Sequence, residues 1–316
     1  MNSLAPAIKP TMYFIGVTTA KSSIMKVFPE WAKFLKLGDC QIKGIDCKWH
    51  DDPEVYRTVV KFIKNDPMSL GALVTTHKLD LLKACKDMFE DLDPYAEMLG
   101  EISSISKKDG ELVGHAKDPI TSGLSMQAFV SGFYWKKTGA DLCLFGAGGS
   151  SLALTMYLMK DASEDERPSK IYVTNRSTPR LEEMKCIHKK INPGIQMEYI
   201  HASRPGDNDN VVKRLKPGSL VVNATGLGKD APGSPITNGA MFPENGMAWD
   251  FNYRGELVFL DQARAQEKSK NLKIEDGWVY FLHGWTRVIA EVFHIEIPTR
   301  GPVFDKLSEI AASTRK

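Results

Sequence analysis

Residues 141–151 of the chain read DLCLFGAGGSS, and the apolar run LALTMYLM follows them. The segment predicts a short buried strand, a glycine-rich turn and a helix, the order in which a glycine motif binds a dinucleotide. Glycines permit the tight turn and let backbone N–H groups approach a pyrophosphate at the positive end of the helix. The last glycine of the common G-x-G-x-x-G pattern is Ser151 here, and for this segment alone a β–α turn without a ligand is an equal alternative.

A second signal follows the next predicted strand, residues 170–174, as NRSTPR at residues 175–180. An NAD-preferring site places Asp or Glu near this strand end, where the carboxylate bonds the 2′-hydroxyl of the adenosine ribose. Arg176 and Arg180 stand there instead, and arginine offers planar, charge-assisted hydrogen bonds to a phosphate. The pattern therefore predicts NADP(H) as the cofactor, against the alternative of two arginines in an ordinary exposed loop.

A third apolar strand, within residues 221–228 (VVNATGLG), ends in small residues. Such a strand end lets a nicotinamide ribose lie close to the backbone. Many strands end in Thr-Gly, so this segment supports the other two signals and carries little weight alone.

The first hundred residues alternate between short strands rich in branched side chains and helices with apolar residues at three- and four-residue intervals. This alternation predicts a largely parallel sheet with helical crossovers. For a chain of 316 residues, two domains are the natural expectation. A long helix is predicted from Trp278 to about Phe293.

Composition argues against several function classes. The net charge is +2, from 41 basic and 39 acidic residues, which is too balanced for a charge-driven nucleic-acid binder. The five cysteines form no C-x-x-C pair, so neither a disulfide framework nor a metal site is expected. No stretch approaches the roughly 18–20 apolar residues of a membrane span, and no signal peptide is visible. We expect a cytoplasmic protein without nucleic-acid or membrane partners, as a monomer or a homodimer.

With these segments in order, the chain resembles the shikimate dehydrogenase family over roughly residues 11–298. That family has a G-A-G-G loop, an N-R-[TS]-x-x-R clamp, an N-A-T strand end, a D-[ML]-x-Y segment and a terminal D-G helix. Similar to these, in turn, are residues 146–149, 175–180, 223–225, 250–253 and 276–277.

The resemblance implies an α/β fold with two domains. An N-terminal α/β substrate domain would comprise residues 1–118 and 277–316, and a Rossmann-type NADP-binding domain residues 119–276. The cofactor-binding residues predicted from the segments and the resemblance are Gly146, Ala147, Gly148, Gly149, Ser150, Ser151, Asn175, Arg176, Ser177, Arg180, Asn223, Thr225, Gly226, Phe251 and Gly277.

In the first domain, Thr76-His77-Lys78 is similar to the family's P-H-K motif, and residues 114–118 are similar to its G-x-N-T-D motif. The resemblance implies that Lys78 and Asp118 form the catalytic pair. Oxidation of a secondary alcohol needs a group that removes the hydroxyl proton, and a lysine oriented by a carboxylate can do this. The alternatives are a surface lysine at a helix start, where the helix dipole disfavours it, and a helix N-cap for Asp118.

The departures from the family pattern fall where the resemblance places substrate contacts. Lys21 stands at the first serine of an S-x-S pair, Ser103 at an asparagine, and Lys117 at the threonine before Asp118. Lys21, with Lys117, can hold an anionic group, or it is an exposed loop residue. His283, near the family's glutamine, is a ligand or a core histidine. The predicted substrate-binding residues are Lys21, Ser23, Ser103, Tyr253 and His283.

Sites that hydrogen-bond a substrate discriminate strongly, so these replacements predict a changed substrate. The expected activity is an NADP-dependent alcohol dehydrogenase or ketone reductase acting on a small cyclic hydroxy acid or polyol. Two alternatives stay open: an authentic shikimate or quinate dehydrogenase, and a non-catalytic NADP-binding regulator. The presence of Lys78 and Asp118 argues against the regulator, which has no need of a proton-transfer pair.

Overall fold

The computed structural model describes residues 4–191, 194–229 and 231–314. These residues form two compact units: one contains the described residues up to 117 and from 282 to 314, and the other contains those between 118 and 281. The α/β fold class predicted from the sequence is confirmed. The division places Asp118 and residues 277–281 in the second unit, whereas the sequence prediction assigned them to the first.

The first unit is built on a six-stranded sheet of order β2-β1-β3-β5-β6-β4. The strands β1, β2 and β3 are parallel, as the alternating pattern predicts, while β5 is antiparallel to both β3 and β6. All six residues of β1 are buried, because the strand lies inside the sheet with helices covering it. The strands are β1 Thr11–Gly16, β2 Gln41–Asp46, β3 Ser69–Val74, β4 Asp91–Leu92, β5 Ser104–Lys108 and β6 Glu111–His115; the helices are α1 Ile24–Phe34, α2 Pro53–Asn65, α3 Lys78–Cys85 and α4 Pro94–Leu99.

The second unit contains a six-stranded, fully parallel sheet of order β12-β11-β10-β7-β8-β9. Its strands are β7 Leu142–Phe145, β8 Lys170–Asn175, β9 Gln196–His201, β10 Leu220–Asn223, β11 Met247–Asp250 and β12 Lys273–Glu275. Its helices are α5 Asp118–Gln127, α6 Tyr134–Thr138, α7 Gly149–Lys160, α8 Thr178–Ile191, α9 Pro205–Val212, α10 Val258–Arg264 and α11 Glu267–Lys270. The chain leaves β7 in one direction and returns to its other side at β10. The carboxyl ends of β7 and β10 therefore flank the point where the strand order reverses, which is where open parallel sheets bind ligands.

The apolar residues of β7 pack on both faces of this sheet. Leu142 and Leu144 join one core cluster, with residues of α7 and α8, whereas Cys143 and Phe145 join a second, with residues of α9 and α10. Burial on both faces explains why the strand reads as a continuous apolar run in the sequence.

The last two helices are α12 Trp278–Phe293, as predicted, and α13 Pro302–Ser313. The helix α13 packs on α1, where Trp31 Nε1 donates a hydrogen bond of 2.8 Å to the Leu307 carbonyl. No described helix combines the length and apolarity needed to cross a membrane.

Candidate functional site

The backbone geometry after β7 requires a glycine at position 146. Gly146 has φ +98°, and a Cβ there would stand 3.0 Å from the Ala224 carbonyl oxygen at the end of the neighbouring strand. A Cβ on Gly148 would meet nothing within 4 Å, so space lies open in front of the turn. The helix α7 begins at Gly149, and Ser150 is half-buried in its first turn. This turn leaves room for an anion at the positive end of α7.

Ser151 occupies the place of the third glycine of the fingerprint. It is fully buried, and its hydroxyl donates a 2.6 Å hydrogen bond back to the Gly146 carbonyl oxygen. The serine therefore closes the turn from inside, a function that a glycine could not supply.

Asn175, the last residue of β8, joins the two loops that the sequence singled out. Its Oδ1 accepts a hydrogen bond from the Ala147 N–H at 3.3 Å, and its Nδ2 donates to the Ser177 carbonyl at 3.0 Å. The Gly146 N–H also donates to the Thr174 carbonyl at 2.8 Å. The glycine turn and residues 175–177 thus form one connected surface.

The two arginines after β8 differ in their surroundings. Arg180 is paired with Glu183, with Nη1 2.5 Å from Oε2, so a phosphate would have to compete with this carboxylate. Arg176 is exposed, and among the described residues it has no ion-pair partner. His201 Nε2 lies 3.2 Å from the Arg176 carbonyl oxygen and holds the loop from the next strand. Arg176 is therefore the cation that is available to an anionic ligand here.

Residues 223–228, at the end of β10, are held by a buried side-chain network. Asn223 accepts hydrogen bonds from the Thr225 N–H at 3.1 Å and hydroxyl at 2.6 Å, and donates to Asp250 Oδ2 at 3.0 Å. Asp250 accepts in turn from the Asn252 N–H at 2.8 Å. Burial raises the pKa of Asp250 to about 6. The network leaves Thr225 exposed beside Gly226, which has φ +77°.

Phe251, which follows β11, lies against Gly277 in the same unit. The Gly277 N–H donates to the Asn252 carbonyl at 3.0 Å, and the Phe251 ring lies 4.4 Å from that of Trp249. Tyr253, predicted to bind substrate, packs against Trp278 and Phe281 with ring centroids 5.5 and 4.9 Å away. These contacts make Tyr253 part of an aromatic cluster.

In the first unit, Lys78 begins α3 directly after a strained turn. Thr76 has φ +65°, and the turn is closed by a 2.6 Å hydrogen bond from the His77 N–H to the Thr75 carbonyl. His77 is buried, with Nδ1 3.1 Å from the Tyr56 hydroxyl, and the Lys78 carbonyl accepts from the Ile102 N–H at 3.3 Å. Proline cannot adopt this φ, so the turn before Lys78 has a shape that the P-H-K motif excludes.

The remaining predicted substrate residues lie in different environments. Lys21 is exposed at the end of a short 3-10 turn, and Ser23 is half-buried before α1. Ser103 is buried and accepts a hydrogen bond from the Lys117 N–H at 2.8 Å. His283 is buried, with its ring stacked on Phe304 at 4.5 Å, which favours the core-histidine alternative. Asp118 begins α5 and is half-buried.

Comparisons with known proteins agree with this architecture. No family model matches the chain. It is 23% identical over 224 residues to a shikimate dehydrogenase (NADP(+)) of Lactococcus lactis, covering 71% of this chain and 73% of that protein. It is 28% identical over 180 residues to a shikimate dehydrogenase (NADP(+)) of Streptococcus thermophilus, covering 56% of this chain and 58% of that protein. The structure is similar to a solved shikimate dehydrogenase of Aquifex aeolicus, with TM-score 0.73 and 17% identity, covering 98% of this chain and 99% of that one.

In sequence and in fold, the chain is similar to shikimate dehydrogenases. The structural likeness shows the fold. Within that fold, the glycine turn, Asn175 and residues 223–226 all lie at the carboxyl ends of adjacent strands. Residues 4–191, 194–229 and 231–314 contain no group of three or more His, Cys, Asp or Glu side chains placed to hold a metal ion.

The sequence-based predictions left out several residues that shape the site. Ala224 presses its carbonyl against Gly146, His201 supports the Arg176 loop, and Glu183 pairs with Arg180. Asp250 had a visible signal, since it follows the apolar residues 247–249 and begins the segment that is similar to the D-[ML]-x-Y motif. Glu183 had one too, since it lies three residues after Arg180 on the same helix. Ala224 and His201 depend on contacts between separate strands, for which one sequence contains no signal.

Proposed function

We propose that the chain is an NADP(H)-dependent oxidoreductase that interconverts a secondary alcohol and a ketone on a small cyclic hydroxy acid or polyol. The observation that carries the proposal is Arg176, an exposed cation joined through Asn175 to an open glycine turn. A carboxylate would be expected near this strand end in an NAD-preferring site. The relatives of known activity, which are named for NADP(+) and shikimate, support the same class of chemistry.

The residues fit such a cofactor on physical grounds. The open space at Gly148 and the first N–H groups of α7 would receive the pyrophosphate, and Arg176 would hold the 2′-phosphate. The backbone of residues 224–226 would lie against the nicotinamide ribose, with Gly226 adding no side chain. The bound cofactor supplies or accepts the hydride.

The protein's own chemical contribution is a proton transfer. Lys78 would remove the proton from the substrate hydroxyl as the alcohol is oxidised, and would return it to the carbonyl oxygen in the reverse direction. Asp118 is proposed as the second residue of this catalytic pair. Among the predicted substrate residues, Tyr253 and Ser23 are proposed to contact the ring, and Lys21 an anionic group.

The test is turnover by the purified chain, followed through NADPH absorbance. Shikimate, quinate and a panel of cyclic keto acids and polyols are offered with NADP and, separately, with NAD. Lys78→Met is expected to lower kcat by roughly 100- to 10,000-fold while NADPH binding is retained. The matched control is Lys83→Met, an exposed lysine on the same helix, which should leave kcat unchanged.

The outcomes separate the candidate functions. Strong turnover of shikimate or quinate would mean that the altered positions still accept the family's substrates. Tight NADPH binding without turnover of any compound would favour the regulator. A chain that binds no NADPH, or a Lys78→Met variant with wild-type kcat, would overturn the proposal.

A further inference from the structure

The backbone just before Asp118 is held from two directions. The Ala116 N–H donates to Asp93 Oδ1 at 3.2 Å, and the Lys117 N–H donates to the buried Ser103 hydroxyl at 2.8 Å. The Ser103 N–H donates in return to the His115 carbonyl at 2.8 Å. These bonds hold the segment that leads into Asp118 against the end of the first unit's sheet.

The Lys117 side chain adds a link to α12. Its ammonium lies 2.5 Å from Glu291 Oε1 and 3.7 Å from Asp93 Oδ2. The side chains of Lys117 and Asp93 are only 13% and 17% exposed, and that of Glu291 is 36% exposed. An ion pair so shielded from water is screened far less than a surface pair. The Lys117 ammonium group is thus paired within the protein and is little exposed to a ligand.

Lys117 is also the cation that balances this cluster. His115 lies 3.8 Å from Asp93 Oδ2 and 3.9 Å from Glu291 Oε2, and its Nε2 is 2.8 Å from the Ser106 hydroxyl. Burial, and then the charge of Lys117, lower the pKa of His115, which disfavours its charged form. Without Lys117, the carboxylates of Asp93 and Glu291 would lose the ammonium group that both of them contact.

We propose that Lys117 and Glu291 are positioning residues, whose ion pair holds residues 116–117 and thereby fixes the backbone that leads directly into Asp118. The inference rests on the proposed function. It also replaces the sequence-based hypothesis that Lys117 helps to bind an anionic substrate group.

The experiment uses the full chain and five variants. Lys117→Met, Glu291→Gln and the double variant break the pair, Lys117→Arg keeps the charge, and Lys108→Met removes an exposed lysine of β5 as the matched control. We expect kcat to fall by roughly ten- to a hundredfold in both single variants, as small misplacements of a reacting group do. The double variant should fall no further than the worse single one, because two residues that act as a unit are not additive.

Three further readouts distinguish positioning from a merely stabilising contact. The Kd for NADPH should stay within about twofold of wild type in all variants, because that site lies in the other unit. Lys117→Arg should recover about half of wild-type kcat, since it restores the cation. Amide hydrogens of residues 116–122 should exchange about tenfold faster in Lys117→Met than in Lys108→Met.

The two levels of proposal fail in different ways. A wild-type chain without turnover overturns the proposed function itself. An active wild type together with an unchanged kcat in Lys117→Met overturns this inference alone, even if the variant melts at a lower temperature.

Discussion

Gly277 lies directly against the backbone of Phe251: a Cβ on Gly277 would stand 2.0 Å from the Phe251 carbonyl oxygen. Seven residues later, inside α12, a Cβ on Gly284 would meet nothing within 4 Å. The two glycines therefore respond to the same substitution in opposite ways.

Gly277→Ala is expected to destabilise the protein by about 2 kcal/mol or more, since the new Cβ would clash with the Phe251 carbonyl group, which is backbone and cannot rotate away. Gly284→Ala is expected to stabilise it by about 0.5–1 kcal/mol, since glycine inside a helix costs conformational entropy. Thermal and urea unfolding of both variants measure this. Two shifts of the same sign would contradict the local geometry.

Arg176→Ala tests the cofactor preference. We expect the affinity for NADPH to fall about ten- to a hundredfold, the loss of a charge-assisted hydrogen bond, while the affinity for NADH changes by less than about twofold. Fluorescence titration of both nucleotides provides the measurement. Arg204→Ala, which removes an arginine that is 81% exposed elsewhere in the unit, serves as the control. An equal loss of affinity for NADPH and NADH would show that Arg176 does not bind the 2′-phosphate.

Thr76→Pro tests the turn before Lys78. Proline fixes φ near −65°, and Thr76 has φ +65°, so the substitution should destabilise the first unit by about 3 kcal/mol or more. Thr76→Gly accepts the observed φ and should stay within about 1 kcal/mol of wild type. Comparison of the two unfolding midpoints decides the matter. A stable Thr76→Pro chain would show that the P-H-K turn is available after all.

The histidines predict a loss of stability in acid. Burial, and then the charge of Arg287, lower the pKa of His283 from 6.5 to about 4, and burial lowers that of His188 likewise to about 4. Below about pH 6.5 these two histidines are protonated in the unfolded chain but not in the folded chain. The free energy of unfolding therefore falls as the pH falls toward 4. His283→Leu should reduce this slope and leave the contribution of His188.

The matching measurement is the unfolding midpoint of His283→Leu and wild type between pH 5 and pH 8. The difference should move in favour of the variant as the pH falls, whatever its value at pH 8. Substitution of the exposed His201 by Leu should leave the slope of the wild type. A difference that does not depend on pH would mean that His283 takes up protons normally in the folded chain.

Much of the second unit could be predicted because its signals are local. A strand, a turn and a helix follow one another within residues 141–160, and each shows in the spacing of apolar residues and glycines. The positive φ of Thr76 could not be predicted from the sequence, because threonine rarely adopts this conformation. The partner of Lys117 was hidden for another reason: Glu291 lies beyond the whole second unit in the chain, and only the fold brings them together. Burial of His283 depends likewise on Phe304 in α13.

Asn175 holds its two loops with the two halves of a single amide group, its oxygen toward Ala147 and its nitrogen toward Ser177. Aspartate has almost the same shape but lacks the N–H, so it would face the Ser177 carbonyl with a second acceptor and disturb the loop of residues 175–177. The carboxylate that would favour NAD is therefore incompatible with this position. An engineer who wishes to change the coenzyme preference of this scaffold must leave the end of β8 untouched and introduce the acid one residue later, at Arg176.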